Sequence, residues 1–243
     1  MSHPVHKKLL KPRFDKIAPY TTPSLSHSVQ TVLFDLDGTL LDTAPDLAFA
    51  LNAVLVEQKR EPLPFEQIRP WVSYGGMRLI KNGFQLSDDD PALEPLRQRF
   101  LTIYADHLAD QTRLFPGMAE VLETLEKQGI QWGVVTNKPT WLTEPLLQQL
   151  GLTSRSVCNI SGDTLPQRKP HPAPLLHACQ LAQSTPEACV YVGDASRDIE
   201  AGQRAGMRTL VALYGYIEAQ EKPAQWGATG MLQKPLDLLS WIE

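Results

Sequence analysis

The stretch Val32-Leu33-Phe34-Asp35-Leu36-Asp37-Gly38-Thr39 decides how the rest of this chain is read. Three apolar residues predict a short buried strand, and two carboxylates follow one residue apart. Side chains alternate faces along an extended strand, so Asp35 and Asp37 are expected to point the same way. Gly38 then permits a sharp turn, because glycine adopts backbone angles that other residues avoid. Two carboxylates at the open end of a buried strand repel each other unless a cation lies between them. A hard, oxygen-seeking divalent ion such as Mg²⁺ suits such a pair. Asp35 can then act as a nucleophile toward phosphorus, and Asp37 can exchange a proton with the leaving group and with water.

Downstream, Asp42-Thr43-Ala44-Pro45 predicts a helix start, and Leu47, Ala50, Leu51, Val54 and Leu55 share one face of the helix that follows. Further helical pieces are expected over about 66–72, 77–85 and 92–109, so residues 44–112 read as an all-helical insertion after the first strand. From Pro116 onward strands and helices alternate. Strands are expected at 130–135, 157–160, 189–192 and 208–213, and helices at 118–129, 140–150, 173–182 and 197–205. A short segment near 228–231 and a helix from Leu236 close the chain. This pattern predicts an α/β fold: a Rossmann-like, mostly parallel sheet with helices on both faces. Right-handed crossovers place the loops that follow the strands along one rim, where ligands bind.

Composition agrees with that class. The chain has 243 residues, 42% apolar and 21% charged, enough to bury a sizeable core. No apolar run reaches the length of a membrane span, and the N-terminus does not resemble a secretory signal. Cys158, Cys179 and Cys189 lie in apolar segments without paired spacing, which predicts buried free thiols and a reducing, cytoplasmic setting. Residues 1–30 stand apart. Lys7, Lys8, Lys11, Arg13 and Lys16 face only Asp15, a formal charge of +4 that leaves −8 for the remainder of the total −4. This segment is expected to be a flexible basic extension, or else the translated start lies near Val29. The acidic remainder argues against nucleic acid as a partner.

Polar residues cluster where the sheet's rim is expected. Thr136-Asn137-Lys138 follows Val134-Val135, and the threonine hydroxyl and neighbouring N–H groups can hold a phosphate oxygen. Lys169, ahead of the 173–182 helix, can neutralise phosphate and nucleophile together. Asp194 follows Val190-Tyr191-Val192-Gly193 and adds a carboxylate for the metal, with Asp198 placed to orient Lys169 or water on the metal.

Asp35-Leu-Asp37, Thr136-Asn137, Lys169 and Gly193-Asp194 with Asp198, in this order, resemble the four motifs of the haloacid dehalogenase superfamily over about residues 30–243. The resemblance implies a catalytic core of residues 31–43 and 113–243 and a helical cap of residues 44–112. It implies a Mg²⁺-dependent phosphatase working through an aspartyl-phosphate. The catalytic residues are then Asp35, Asp37, Thr136 and Lys169, the metal ligands Asp35, Asp37 and Asp194, and Asp198 stands behind the metal. Asp37 disfavours carbon–halogen chemistry, because the dehalogenase branch lacks this second aspartate.

Substrate choice is expected to lie in the cap, whose closure excludes water. There Trp71-Val72-Ser73-Tyr74-Gly75-Gly76-Met77-Arg78 offers Gly75 and Gly76 for close backbone approach, and Ser73 and Arg78 for hydroxyls or a carboxylate. Asn137 and Lys138 are expected to assist from the core. Asp42-Thr-Ala-Pro-Asp46-Leu and Thr136-Asn-Lys138-Pro resemble the phosphoglycolate phosphatase group. Within that group, Val72-Ser73-Tyr-Gly75-Gly76, Trp132 to Pro139, Tyr214-Gly-Tyr-Ile217 and Trp226-Gly-Ala228 are similar to the N-acetylmuramic acid 6-phosphate phosphatases of cell-wall recycling. Those proteins tend to carry a second aspartate where this chain has Ala195. The expected partner is a small phosphorylated metabolite bearing a carboxylate, taken by a monomer or homodimer. A phosphomutase on the same core and cap is the alternative of another class.

Overall fold

The central strand β1, Thr31–Phe34, is fully buried and pairs in parallel with β4, Gln131–Val135, on one side and β6, Cys189–Gly193, on the other. A computed structural model describes residues 28–242. Outward from this centre lie β5, Asn159–Ile160, beyond β4, and β7, Arg208–Ala212, and β8, Gly230–Leu232, beyond β6. The sheet order is β5-β4-β1-β6-β7-β8, and every pairing is parallel. The parallel α/β architecture expected from the sequence is therefore the one observed. Its central strands read as unbroken apolar runs because helices cover both faces. The basic segment 1–30 lies almost wholly outside the described residues. No helix among the described residues is long and apolar enough to cross a membrane.

Four helices follow the first strand, as expected: α1, Ala44–Glu57, α2, Phe65–Ile68, α3, Gly75–Phe84, and α4, Leu93–Asp106. A 3₁₀ segment, Arg69–Tyr74, joins α2 to α3. The chain leaves and re-enters the sheet region through a small antiparallel pair, β2, Leu41–Asp42, with β3, Arg113–Leu114. No periodicity marks strands of two residues. Buried Asp46, in the first turn of α1, accepts from the Gln111 and Thr112 N–H groups and from Thr112 Oγ1. Asp42 accepts from Arg69 Nη1 and from Tyr216 Oη, each at 2.7 Å. The two crossings between helices and sheet are thus fastened by carboxylates from the Asp42-Thr-Ala-Pro-Asp46 stretch.

The remaining helices are α5, Met118–Lys127, α6, Thr140–Gln149, α7, Ala173–Ala182, and α8, Ser196–Arg204. The helix expected from Leu236 is a 3₁₀ helix, Pro235–Trp241. The three cysteines are free and buried, with Cys179 and Cys189 sulfurs 3.4 Å apart. One apolar cluster runs from the sheet through Leu36, Leu40 and Leu47 into Leu79 and Phe100, so α1–α4 share a core with the sheet's rim.

Candidate active site

β1 ends at Phe34, and Asp35 to Thr39 form a turn beyond the strand. The two aspartates therefore lie beyond the extended strand, yet they face a common cavity as expected. Asp35 Oδ1 accepts from the Leu36 N–H at 2.7 Å and lies 2.9 Å from Lys169 Nζ, while its Oδ2 has no hydrogen bond to the described residues. Asp37 Oδ1 accepts from Thr43 Oγ1 at 2.7 Å and from Lys138 Nζ at 3.0 Å. Both line one cavity of about 510 Å³ between the carboxyl rim of the sheet and the helices α3 and α4.

Lys169 is the hub of the floor. Its ammonium, fully buried, lies 2.7 Å from Asp198 Oδ1 and 2.8 Å from the Val135 carbonyl oxygen, and donates to Tyr191 Oη at 2.7 Å. Tyr191 Oη in turn donates to the Val135 carbonyl. Asn137, expected to touch substrate, lines the cavity and also grips the Lys169 backbone. Its Oδ1 accepts from Lys169 N–H and its Nδ2 donates to Lys169 C=O, at 3.0 and 2.9 Å. A side-chain amide reproduces the donor and acceptor of a strand partner, and this fixes Lys169 where the sheet has no strand to do so. Buried Thr136 lines the cavity, and its Oγ1 accepts from Lys138 N–H.

Asp35, Asp194 and Asp198 bring one carboxylate oxygen each within 4.8 Å of one another, all buried. Asp37 was expected in this group and is not in it, because Lys138 and Thr43 hold its carboxylate. Asp198, expected behind the group, belongs to it, and its Oδ2 also accepts from Ala195 N–H at the start of α8. Asp194 Oδ2 accepts from Ser73 Oγ at 2.6 Å and Tyr216 N–H at 2.8 Å, but its Oδ1 is buried with no partner. Three carboxylates face the cations Lys169 and Arg197, which leaves a negative surplus. Burial, then the charges of Asp35 and Asp198, push the Asp194 carboxyl up to about 7. Burial also raises the Asp35 carboxyl above the ordinary range, against the pull of Lys169. An orphaned buried carboxylate oxygen within an all-oxygen cluster of surplus negative charge fits a hard divalent cation.

Gly38, at φ +84°, makes room for this cluster: a Cβ there would lie 2.1 Å from Asp194 Oδ2. Gly38→Ala is expected to lower stability by about 1–3 kcal/mol. It should also weaken Mg²⁺ binding at least about tenfold, as isothermal titration beside urea unfolding would measure. Unchanged Mg²⁺ affinity would show that Asp194 tolerates displacement.

The helical segment closes the cavity from above. Ser73 reaches Asp194, and Arg197 Nη2 donates to the Ser73 carbonyl at 2.6 Å. Lys138 Nζ donates to Tyr104 Oη of α4 at 2.8 Å, and burial raises that phenol to about 12. Gly75 and Gly76 both line the cavity. A Cβ on Gly76, however, would meet the Phe100 ring at 2.9 Å, so this glycine serves the packing of α3 on α4. Arg78 does not line the cavity; it lies 3.7 Å from Glu218 and over the Tyr74 ring. On α3, Arg78 faces the 214–221 loop, which its sequence neighbours give no means of foreseeing. The sequence pattern assigns no role to Tyr104, Tyr191, Arg168 or Arg197. Tyr191 alone carried a signal, since a phenol inside a continuously apolar strand needs a buried partner.

A parallel sheet whose rim gathers buried carboxylates around one lysine defines a hydrolase core, and the chain belongs to the haloacid dehalogenase-like hydrolase family, whose model matches residues 32–212. Among its relatives, the N-acetylmuramic acid 6-phosphate phosphatase of Pseudomonas aeruginosa is 41% identical over 215 residues, covering 88% of this chain and 95% of the relative. A phosphoglycolate phosphatase of Xylella fastidiosa is 42% identical over 217 residues, covering 89% and 94%. A crystal structure described as a predicted phosphoglycolate phosphatase from Haemophilus somnus superposes with a TM-score of 0.78 at 29% identity, covering 88% of this chain and 98% of that one.

Proposed function

We propose that this chain is a Mg²⁺-dependent phosphomonoester hydrolase whose substrate is N-acetylmuramic acid 6-phosphate. The observation that carries the reaction class is Asp35: a buried carboxylate with one oxygen held by Leu36 N–H and Lys169 and the other free, at the floor of a cavity that Asp37 also lines. Asp35 Oδ2 attacks phosphorus as the ester P–O bond breaks, and Asp37 gives a proton to the departing alkoxide. Water then attacks the aspartyl-phosphate, Asp37 takes its proton, and phosphate leaves with the Asp35 carboxylate restored. Lys169 and Thr136 bind phosphate oxygens, and positioning with charge neutralisation supplies most of the rate. Asp35, Asp194 and Asp198 would hold Mg²⁺, which supplies positive charge against the repulsion between phosphate and nucleophile. Residues 44–112 serve as a cap that excludes water, and residues 31–43 and 113–243 as the core. The three buried free thiols suit a reducing cytoplasm.

The substrate reading draws on the muramic-acid relatives and on the size of the cavity, about 510 Å³, which suits a sugar phosphate. Equally similar relatives named phosphoglycolate phosphatase favour 2-phosphoglycolate as the second reading. Phosphate release from the two esters, side by side with Mg²⁺ and with EDTA, tests both. A tenfold or larger kcat/KM in favour of the muramic ester, about 1.4 kcal/mol in the transition state, supports the first reading. The reverse ranking supports the second.

Mg²⁺ is also expected to change how stability depends on pH. The folded Asp194 carboxyl sits at about 7 against an ordinary 3.8, so the folded state binds more protons between those values. Metal-free stability should therefore fall as pH rises from about 4 to 7. Mg²⁺ at about 100 times its Kd should raise Tm by about 5 °C or more at pH 8 and by less at pH 5. Thermal melts with and without EDTA measure this; equal gains at both pH values would remove Asp194 from the metal site.

A further inference from the structure

Five cationic side chains line the cavity: Arg97, Lys138, Arg168, Lys169 and Arg197. Four have partners. Lys169 and Lys138 serve Asp35, Asp198 and Asp37, Arg197 donates to the Ser73 carbonyl, and Arg97 pairs with Glu94 at 2.8 Å. The side chain of Arg168 makes no hydrogen bond or ion pair with any described residue. Its backbone is nonetheless well held, since Asn137 grips Lys169 on both sides and His171 N–H donates to the Arg168 carbonyl at 3.0 Å. Lys169 turns inward to the floor, fully buried, while Arg168 is exposed at the mouth of the same cavity.

We propose that Arg168 binds a carboxylate on the organic part of the phosphate ester and so selects substrates by that group. The proposal rests on the phosphatase reading above. Phosphate is drawn to the floor, where Asp35 and Lys169 lie, so an anion that meets Arg168 is at the outer end of the ligand. A guanidinium presents paired donors that match a carboxylate, and an unpaired one has no internal contact to lose on binding. A carboxylate separated from the phosphate by a sugar ring reaches from floor to mouth more readily than one separated by a single carbon. Arg168 thereby takes the part that the sequence suggests for Arg78, which lies outside the cavity.

The test compares N-acetylmuramic acid 6-phosphate with its lactyl methyl ester, identical but for the carboxylate charge. Because each protein is measured on both compounds, their ratio does not depend on the fraction folded. Wild type should prefer the acid by tenfold or more in kcat/KM. Arg168→Gln should lose at least fivefold of that preference, mainly through KM, Arg168→Lys should keep part of it, and Arg78→Gln should keep all of it. An undiminished preference in Arg168→Gln, or an equal fall on acid and ester, would overturn the proposal. So would a wild type that does not distinguish them, although the phosphatase reading would then stand. A wild type that releases phosphate from neither compound, nor from 2-phosphoglycolate or an aryl phosphate, would overturn the phosphatase reading itself.

Discussion

Asp35→Asn is expected to reduce phosphate release by about 10⁴–10⁶-fold while the protein remains folded. The amide has the size of the carboxylate, and its oxygen can still accept from Leu36 N–H, so the turn after β1 survives. Lys169 keeps Asp198 and the Val135 carbonyl. Burial raises the Asp35 carboxyl, so the ionised group costs folding free energy that a neutral amide does not. Tm of the metal-free variant should therefore equal or exceed that of the wild type. The paired readout separates chemistry from folding: steady-state phosphate release collapses while thermal melting does not. Retention of more than about one per cent of turnover, far above what loss of a nucleophile leaves, would place the attacking group elsewhere.

Lys169→Met is expected to abolish turnover and, unlike the asparagine variant, to destabilise the fold by about 3–5 kcal/mol. Methionine fills a comparable volume but leaves Asp35 and Asp198 buried without the cation they share, beside an Asp194 oxygen that already lacks a partner. The loss should depend on pH in a defined direction. Asp35 is already raised, and losing Lys169 raises it further, so protonation of Asp35 at lower pH relieves the repulsion. Urea unfolding should thus show the largest deficit above neutrality and a smaller one toward pH 5. A deficit independent of pH would mean that lost packing, not uncompensated charge, is responsible.

Much of this fold is legible in the sequence because its signals are local. Val32 to Phe34, Val134-Val135 and Val190 to Val192 are apolar runs long enough for strands buried on both faces, and the helices between them repeat at helical spacing. The motif residues Asp35, Thr136 and Asp194 likewise sit directly after strands, which the order of elements dictates, whereas Lys169 lies on the long connection after β5. The helices expected within 66–109 were found with boundaries shifted by a few residues, as fraying ends and the 3₁₀ turn at Arg69–Tyr74 allow.

By itself, then, the sequence determined a parallel α/β core, an all-helical insertion after its first strand, and the polar residues gathered at one rim. Only the tertiary structure decided what each of those residues touches. It moved Asp37 from the carboxylate cluster to Lys138, and put Asp198 in its place. It tied Asn137, at the cavity wall, to the Lys169 backbone, turned Arg78 out of the cavity, and left Arg168 unpaired at the mouth. The physical reason is the range of the interactions. Burial and periodicity are properties of neighbouring residues, whereas a charge finds its partner far along the chain, as Asp35 finds Lys169.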